Sequence, residues 1–139
     1  MSSNIHASCV VLKNKGVLIK GVSSSGKSDL CLRLIMRYGA RLIADDRVDL
    51  TIEKNKVIAS APKILKGLLE VRGIGIIKLP VKQTAKIDLV INLTDEKEKI
   101  DRIPEIEYFE FNNIKIRQYS LCGKEDSCPD KILAAITLL

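Results

Sequence analysis

"GVSSSGKS", Gly21 to Ser28, decides how the rest of the chain is read. It satisfies G-x-x-x-x-G-K-[ST] at every fixed position, the spacing of a loop that wraps a nucleotide phosphate. Glycines let the backbone turn so that its N–H groups point inward at an anion. A helix starting at the end of the loop adds the positive end of its dipole. On this reading Gly21, Val22, Ser23, Ser24, Ser25 and Gly26 form the cradle. Lys27 reaches the β- and γ-phosphates of ATP, and the Ser28 hydroxyl holds Mg²⁺. The bland alternative is a Gly/Ser turn that happens to match. The flanks weigh against it: "GVLIK" before the loop reads as a strand, and "SDLCLRLIMRYG" after it reads as a helix. In that helix Leu30, Leu34 and Tyr38 share a face at helical spacing, and Gly39 is placed to stop it.

One helix further on stands "RLIADDR", Arg41 to Arg47, a short apolar strand ending in two adjacent carboxylates. Asp45 and Asp46 repel each other unless something nearby wants negative charge. In nucleotide-binding α/β folds a strand beside the phosphate loop ends in a carboxylate near Mg²⁺. Here that carboxylate comes twice, so one can serve the metal while the other accepts a proton from an attacking hydroxyl. Because the chain turns at a strand's end, both are expected to reach the site. The alternative is a pair of turn-capping aspartates.

Around these two blocks strands alternate with helices through short turns, which is an α/β layer fold. "SCVVL" and "GVLIK" form two strands about "KNKG", and "VDLTIEKNKVIAS" forms a hairpin about "EKNK". "PKILKGLLEV" contains a short helix opening at Pro62, and "IDLVINL" is a buried strand. "IEYFEF" and "IKIRQY" alternate as an antiparallel pair about "NN", and "PDKILAAITLL" is a terminal helix. Hairpins mixed with a strand–helix–strand unit predict a mixed sheet.

The bulk composition narrows the function. At 139 residues the chain fits one domain, residues 1–139, with a core of its own. Hydrophobic residues at 46% and aromatics at 4% mean a core of Ile, Leu and Val. The net charge of +6 suits an acidic ligand such as a nucleotide. No basic tract interleaved with aromatics supports nucleic-acid binding. The N-terminus lacks the pattern of a signal peptide, and no apolar run approaches a membrane span, so the expected location is cytoplasmic. Cys9, Cys31, Cys122 and Cys128 match no zinc spacing. Reduced, buried thiols are expected, with a Cys122–Cys128 disulfide or metal pair left open.

"GVSSSGKSDL", "RLIADDRVDL" and "LLEVRGIGIIKL", in that order, resemble the catalytic domain of the HPr kinase/phosphorylase family. "IHAS" looks like the start of that domain, and the resemblance runs from Ile5 to about Leu79, with "CPDKILAAI" a weaker echo. It implies an α/β phosphate-loop nucleotide-binding core with a mixed sheet, of PEP carboxykinase-like architecture. The implied activity is a bacterial kinase that transfers the γ-phosphate of Mg-ATP to a serine of the phosphocarrier HPr. Family members also reverse the modification with inorganic phosphate, releasing pyrophosphate. Carried onto this sequence, Lys27 and Ser28 hold nucleotide phosphates and Mg²⁺, and Asp45 is the proton acceptor. Asp46 and Glu70 lie by the metal, His6 sits beside Asp45 and tunes its proton affinity, and Arg72 lies near the phosphates. By themselves His6 reads as an ordinary polar residue, and Glu70 with Arg72 as a solvent-facing pair.

Relative to longer members the sequence lacks an N-terminal domain. The basic residue with which they grip the partner protein has no clean counterpart; Arg117 and Lys124 are the candidates. Longer members form hexamers, so a homo-oligomer is expected. Two other readings stay open: an ATP-binding regulatory switch with no acceptor of its own, and a kinase for a small molecule.

Overall fold

A computed structural model describes residues 2–139. In chain order the elements are β1 (Ser2–His6), β2 (Ser8–Leu12), β3 (Lys15–Lys20), α1 (Lys27–Tyr38), β4 (Arg41–Ala44), β5 (Arg47–Glu53), β6 (Lys56–Ser60), β7 (Leu68–Val71), β8 (Gly75–Lys78), β9 (Thr84–Thr94), β10 (Glu107–Phe111), β11 (Ile114–Cys122) and α2 (Cys128–Ile136). The large sheet runs β1-β5-β6-β9-β3-β2-β4. Strand β9 is long enough to pair antiparallel with β6 near its start and parallel with β11 near its end. Its other edge pairs parallel with β3, and β10 extends the sheet beyond β11. Parallel and antiparallel pairs therefore coexist, as the mixture of hairpins and a strand–helix–strand unit predicts.

Local chemistry sets the turns. Lys13–Asn14, Lys54–Asn55 and Asn112–Asn113 all have positive φ, the conformation a two-residue hairpin loop demands. These are the turns expected at "KNKG", "EKNK" and "NN". Helix α1 ends where Gly39 takes φ 72°, a left-handed cap that costs glycine little. The short helix at Pro62 is a single 3₁₀ turn, Lys63–Leu65.

Alternation along β3 divides the core in two. Val17 and Ile19 join the cluster covered by Leu30 and Leu34 of α1, Leu69 of β7 and Ile132 of α2. Leu18 joins the opposite cluster, with Ile43, Val48, Leu50 and Val57, where β5 and β6 curl over the sheet. Burial on both faces explains why β2 and β3 read as continuous apolar runs. Strand β1 was not expected from the sequence. It pairs with β5 in a register that sets His6 opposite Arg47, and this brings the only histidine to the end of β4.

Candidate functional site

Strand β3 runs straight into the loop Gly21–Gly26, and α1 leaves it. Gly21 adopts φ 152°, Ser24 φ 69° and Gly26 φ 97°, so the loop curls back on itself. A Cβ on Gly21 would fall 2.5 Å from Ser25 Oγ and 3.1 Å from Leu93 Cβ; only glycine fits there. Gly26 precedes α1 with no side chain capping the helix. The first helical bond runs from Leu30 N–H to Gly26 O at 2.9 Å, which leaves the N–H groups ahead of it outside the ladder. An uncapped helix start behind a curled glycine loop fits a phosphate.

Lys27 is 7% exposed and donates from Nζ to Gly21 O at 2.8 Å and Val22 O at 3.0 Å. Its ammonium is thus held across the mouth of the loop. Burial pulls the Lys27 pKa below the usual lysine range, while the charges of Asp46 and Asp45 oppose that pull.

The two aspartates part company at the end of β4. Asp45 is 5% exposed and turned inward. It accepts from Ser8 Oγ at 2.7 Å and from Ser28 Oγ, which lies 2.9 and 2.8 Å from its two carboxylate oxygens. Asp46 takes φ 72°, so the chain swings the other way. Its side chain is 66% exposed and lies 3.0 Å from His6 Nε2. Backbone bonds fix the swing: Arg47 N–H donates to Asp45 O and Ala7 N–H to Asp46 O.

A cleft of about 470 Å³ opens over the loop, and His6, Lys27, Ser28, Asp46, Glu70 and Arg72 all line it. Most of the expected site residues thus meet at one place. Asp45 does not line the cleft directly but holds its Ser28 from beneath, so the two carboxylates approach the site from different sides. His6 lies against Asp46, whereas the resemblance put it beside Asp45. The physical reason is the left-handed turn at Asp46, which sends neighbouring side chains to opposite sides. Among the described residues no three His, Cys, Asp or Glu side chains are grouped closely enough to hold an ion. Ser28 with Asp45 behind it, and Glu70 in the cleft, suit Mg²⁺, an ion that takes few protein ligands and completes its shell with phosphate and water, while Asp46 is already paired with His6.

Of the two basic candidates, Lys124 lines the cleft and pairs with Asp95 at 3.4 Å. Arg117 lies over the Tyr119 ring, 4.6 Å from its centroid, and does not line the cleft. All four cysteines are free and buried, so Cys122 and Cys128 form no disulfide. Burial pushes the Cys128 thiol up to about 11, so it stays protonated.

Two residues went unread in the sequence. Ser8 is fully buried and supports Asp45; its signal is a serine at the head of an otherwise apolar strand. Arg33, its side chain 12% exposed, pairs with Asp29 at 3.1 Å and donates to Gly123 O and to Glu125 O. It ties α1 to the turn that carries Lys124. Nothing local marks it beyond an ordinary i,i+4 pair.

A strand–loop–helix of this geometry, with a carboxylate behind the loop serine, defines a phosphate-loop α/β domain. Comparison with known proteins narrows the class. The family model described as the HPr Serine kinase C-terminal domain matches residues 1–136. The chain belongs to that family. It is 47% identical over 111 residues to the HPr kinase/phosphorylase of Lactobacillus acidophilus, covering 73% of this chain and 34% of that protein. It is 38% identical over 128 residues to the HPr kinase/phosphorylase of a Thermoanaerobacter species, covering 84% and 42%. Among solved structures, the HPr(Ser) kinase/phosphatase from Coxiella burnetii superposes with a TM-score of 0.85 at 30% identity, covering 98% of this chain and 95% of that one. The chain spans about a third to two fifths of the length of the curated relatives. No helix among the described residues is long and apolar enough to cross a membrane.

Proposed function

We propose that this chain is a serine protein kinase that moves the γ-phosphoryl group of Mg-ATP to a serine of HPr. One observation carries the reading: an open carboxylate–imidazole pair, Asp46 and His6, shares a cleft with the phosphate loop and its lysine. The names of the relatives, HPr kinase/phosphorylase, supply the acceptor.

The roles follow from position. The glycine loop and the start of α1 bind the phosphates, with Lys27 drawn from the carbonyls of Gly21 and Val22 onto the β- and γ-oxygens. Ser28, oriented by buried Asp45, would hold Mg²⁺, which when bound would neutralise charge on the transferring group. Arg72 and Lys124 add positive charge at the rim. The proton acceptor is Asp46, the carboxylate that lines the cleft. As the serine oxygen bonds to the γ-phosphorus and the bond to the β-bridging oxygen breaks, the hydroxyl proton passes to Asp46 and ADP leaves. His6, hydrogen-bonded to Asp46, fixes the orientation of that carboxylate. In phosphorolysis an oxygen of inorganic phosphate bonds to the phosphoserine phosphorus as its bond to the serine oxygen breaks; the proton of the attacking phosphate passes through Asp46 to the serine oxygen, and pyrophosphate leaves. This places the base on Asp46 and the metal support on Asp45, the reverse of the assignment carried over by resemblance.

The test is intact-mass spectrometry of purified HPr after incubation with the chain and Mg-ATP, beside an Asp46→Asn control. One added phosphate on a serine, lost in the control, is the expected result. Unmodified HPr, with Mg-ATP still bound by the chain, would overturn the kinase reading in favour of a nucleotide-binding switch.

A further inference from the structure

The hairpin β7–β8 forms a two-stranded sheet of its own beside the cleft. Its register pairs Glu70 with Ile76 and Leu69 with Ile77. Residues directly opposite in an antiparallel pair share a face. Leu69, Val71 and Ile77 therefore turn inward, and all three pack in the core cluster under α1. The outer face carries Glu70, which lines the cleft, and directly across from it Ile76, which is 70% exposed. At the tip Arg72 lines the cleft and Ile74 is 77% exposed. Neither isoleucine lines the cleft itself, so a nucleotide seated there covers neither. Lys78 lies on the same outer face, two residues beyond Ile76, and is exposed.

Ile74 and Ile76 are two large aliphatic side chains held in water beside a site that must receive a hydroxyl group, and covering them would be favourable. A small-molecule acceptor would lie within the cleft and leave them bare. A folded protein that brings a serine to Asp46 must rest on the rim, and this hairpin is rim. Arg72 at the tip and Lys78 beyond Ile76 outnumber the single carboxylate of Glu70 on this face, and that positive balance sets the complementary chemistry of the partner.

We propose that the outer face of β7–β8 is the docking surface for the protein acceptor. It receives an apolar patch beside the target serine, flanked by carboxylates. The proposal rests on the kinase reading and extends it from the chemistry of the site to the recognition of the substrate. It also favours a protein over a small molecule as the acceptor.

The experiment uses the full chain, Mg-ATP and purified HPr, with Ile76→Asp, the double variant Ile74→Asp/Ile76→Asp, and the conservative Ile76→Leu. Initial rates are measured against HPr concentration, with Mg-ATP affinity, melting temperature and oligomeric mass measured on the same samples. The expected result is a KM for HPr raised at least tenfold by either aspartate variant. The kcat at saturating HPr, Mg-ATP affinity and melting temperature stay unchanged, and Ile76→Leu is close to wild type. An unchanged KM for HPr in the double variant would overturn the docking surface while leaving the kinase reading intact. A change of oligomeric mass with an unchanged KM would overturn it in favour of a contact between copies of this chain. A wild-type chain that leaves HPr unmodified would remove both readings together, and is recognised before any variant is made.

Discussion

Exchanging each aspartate of the pair for asparagine separates their roles. Asp45 sits almost out of solvent and accepts from two hydroxyls, Ser8 and Ser28. In Asp45→Asn the charge is lost; with the amide oxygen at Oδ1, which both hydroxyls reach, an NH₂ donor replaces the oxygen that Ser28 alone contacts. Hydrogen bonds to a charged group contribute about 1.5–3 kcal/mol, and one such bond is lost. Converted at 1.4 kcal/mol per factor of ten, that is a weakening of roughly ten- to a hundredfold in whatever depends on a correctly aimed Ser28. Mg-dependent nucleotide binding is that quantity, so Asp45→Asn should raise the Kd for Mg-ATP by this factor. It should affect binding without magnesium much less. Asp46→Asn leaves Ser28 and the loop untouched, so the Kd should hold. The turnover should fall by about 10²–10⁴, the usual contribution of a positioned base. Titration calorimetry with and without Mg²⁺, and single-turnover transfer to HPr, read the two quantities apart. An Asp45→Asn chain with normal Mg-ATP affinity and no transfer, beside an Asp46→Asn chain with normal transfer, would refute the reasoning and return the base to Asp45.

Arg33→Ala should leave the carbonyls of Gly123 and Glu125 without their donor and cost about 1–3 kcal/mol. A Cβ on Gly123 would lie only 2.6 Å from Ser25 O, so this turn abuts the phosphate loop. Faster hydrogen exchange at residues 123–127 and a raised KM for ATP are expected, with Arg33→Lys partly restoring both. Gly39→Ala meets no atom within 4 Å but must hold φ 72°, so it should cost about 1–2 kcal/mol in urea unfolding and leave transfer unchanged. Burial raises the thiol pKa of Cys9, Cys31 and Cys128 in the folded chain. These thiols should resist alkylation at pH 8 until the chain unfolds. Because the unfolded thiols ionise near about 8.5 and the folded ones do not, the stability from this source is full below that pH and is lost as pH rises above it. The urea midpoint should therefore fall between about pH 8 and 10.

Most of the fold was legible because its signals are local. The three hairpin turns depend on pairs of residues that tolerate positive φ, and "KN" and "NN" announce themselves. The phosphate loop is legible for the same reason: its whole pattern lies in eight consecutive residues. What the sequence concealed depends on residues distant along the chain. Strand β1, "SSNIH", has no apolar alternation, and only its partner β5 makes it a strand. Ser8 and Asp45 are 37 residues apart, and Arg33 reaches carbonyls 90 and 92 residues away. No window on a single sequence contains those pairs.

The order of roles within "DD" was concealed for a subtler reason. Along a strand, side chains alternate, so the register of β4 decides which aspartate continues inward. "RLIA" gives no help, because Leu42, Ile43 and Ala44 are all buried and the strand is covered on both faces. The decision falls to one backbone angle. With φ of 72° at Asp46, the chain leaves the strand at that residue and turns Asp46 outward to His6, while Asp45 stays beneath the loop against Ser8 and Ser28. A left-handed residue is tolerated there because aspartate is among the few non-glycine types that adopt it at modest cost. The same angle thus gives adjacent, chemically identical side chains two environments: one enclosed and committed to a hydroxyl, the other open and paired with an imidazole. In the proposed reaction, that difference in environment lets one carboxylate support a cation while its neighbour takes a proton.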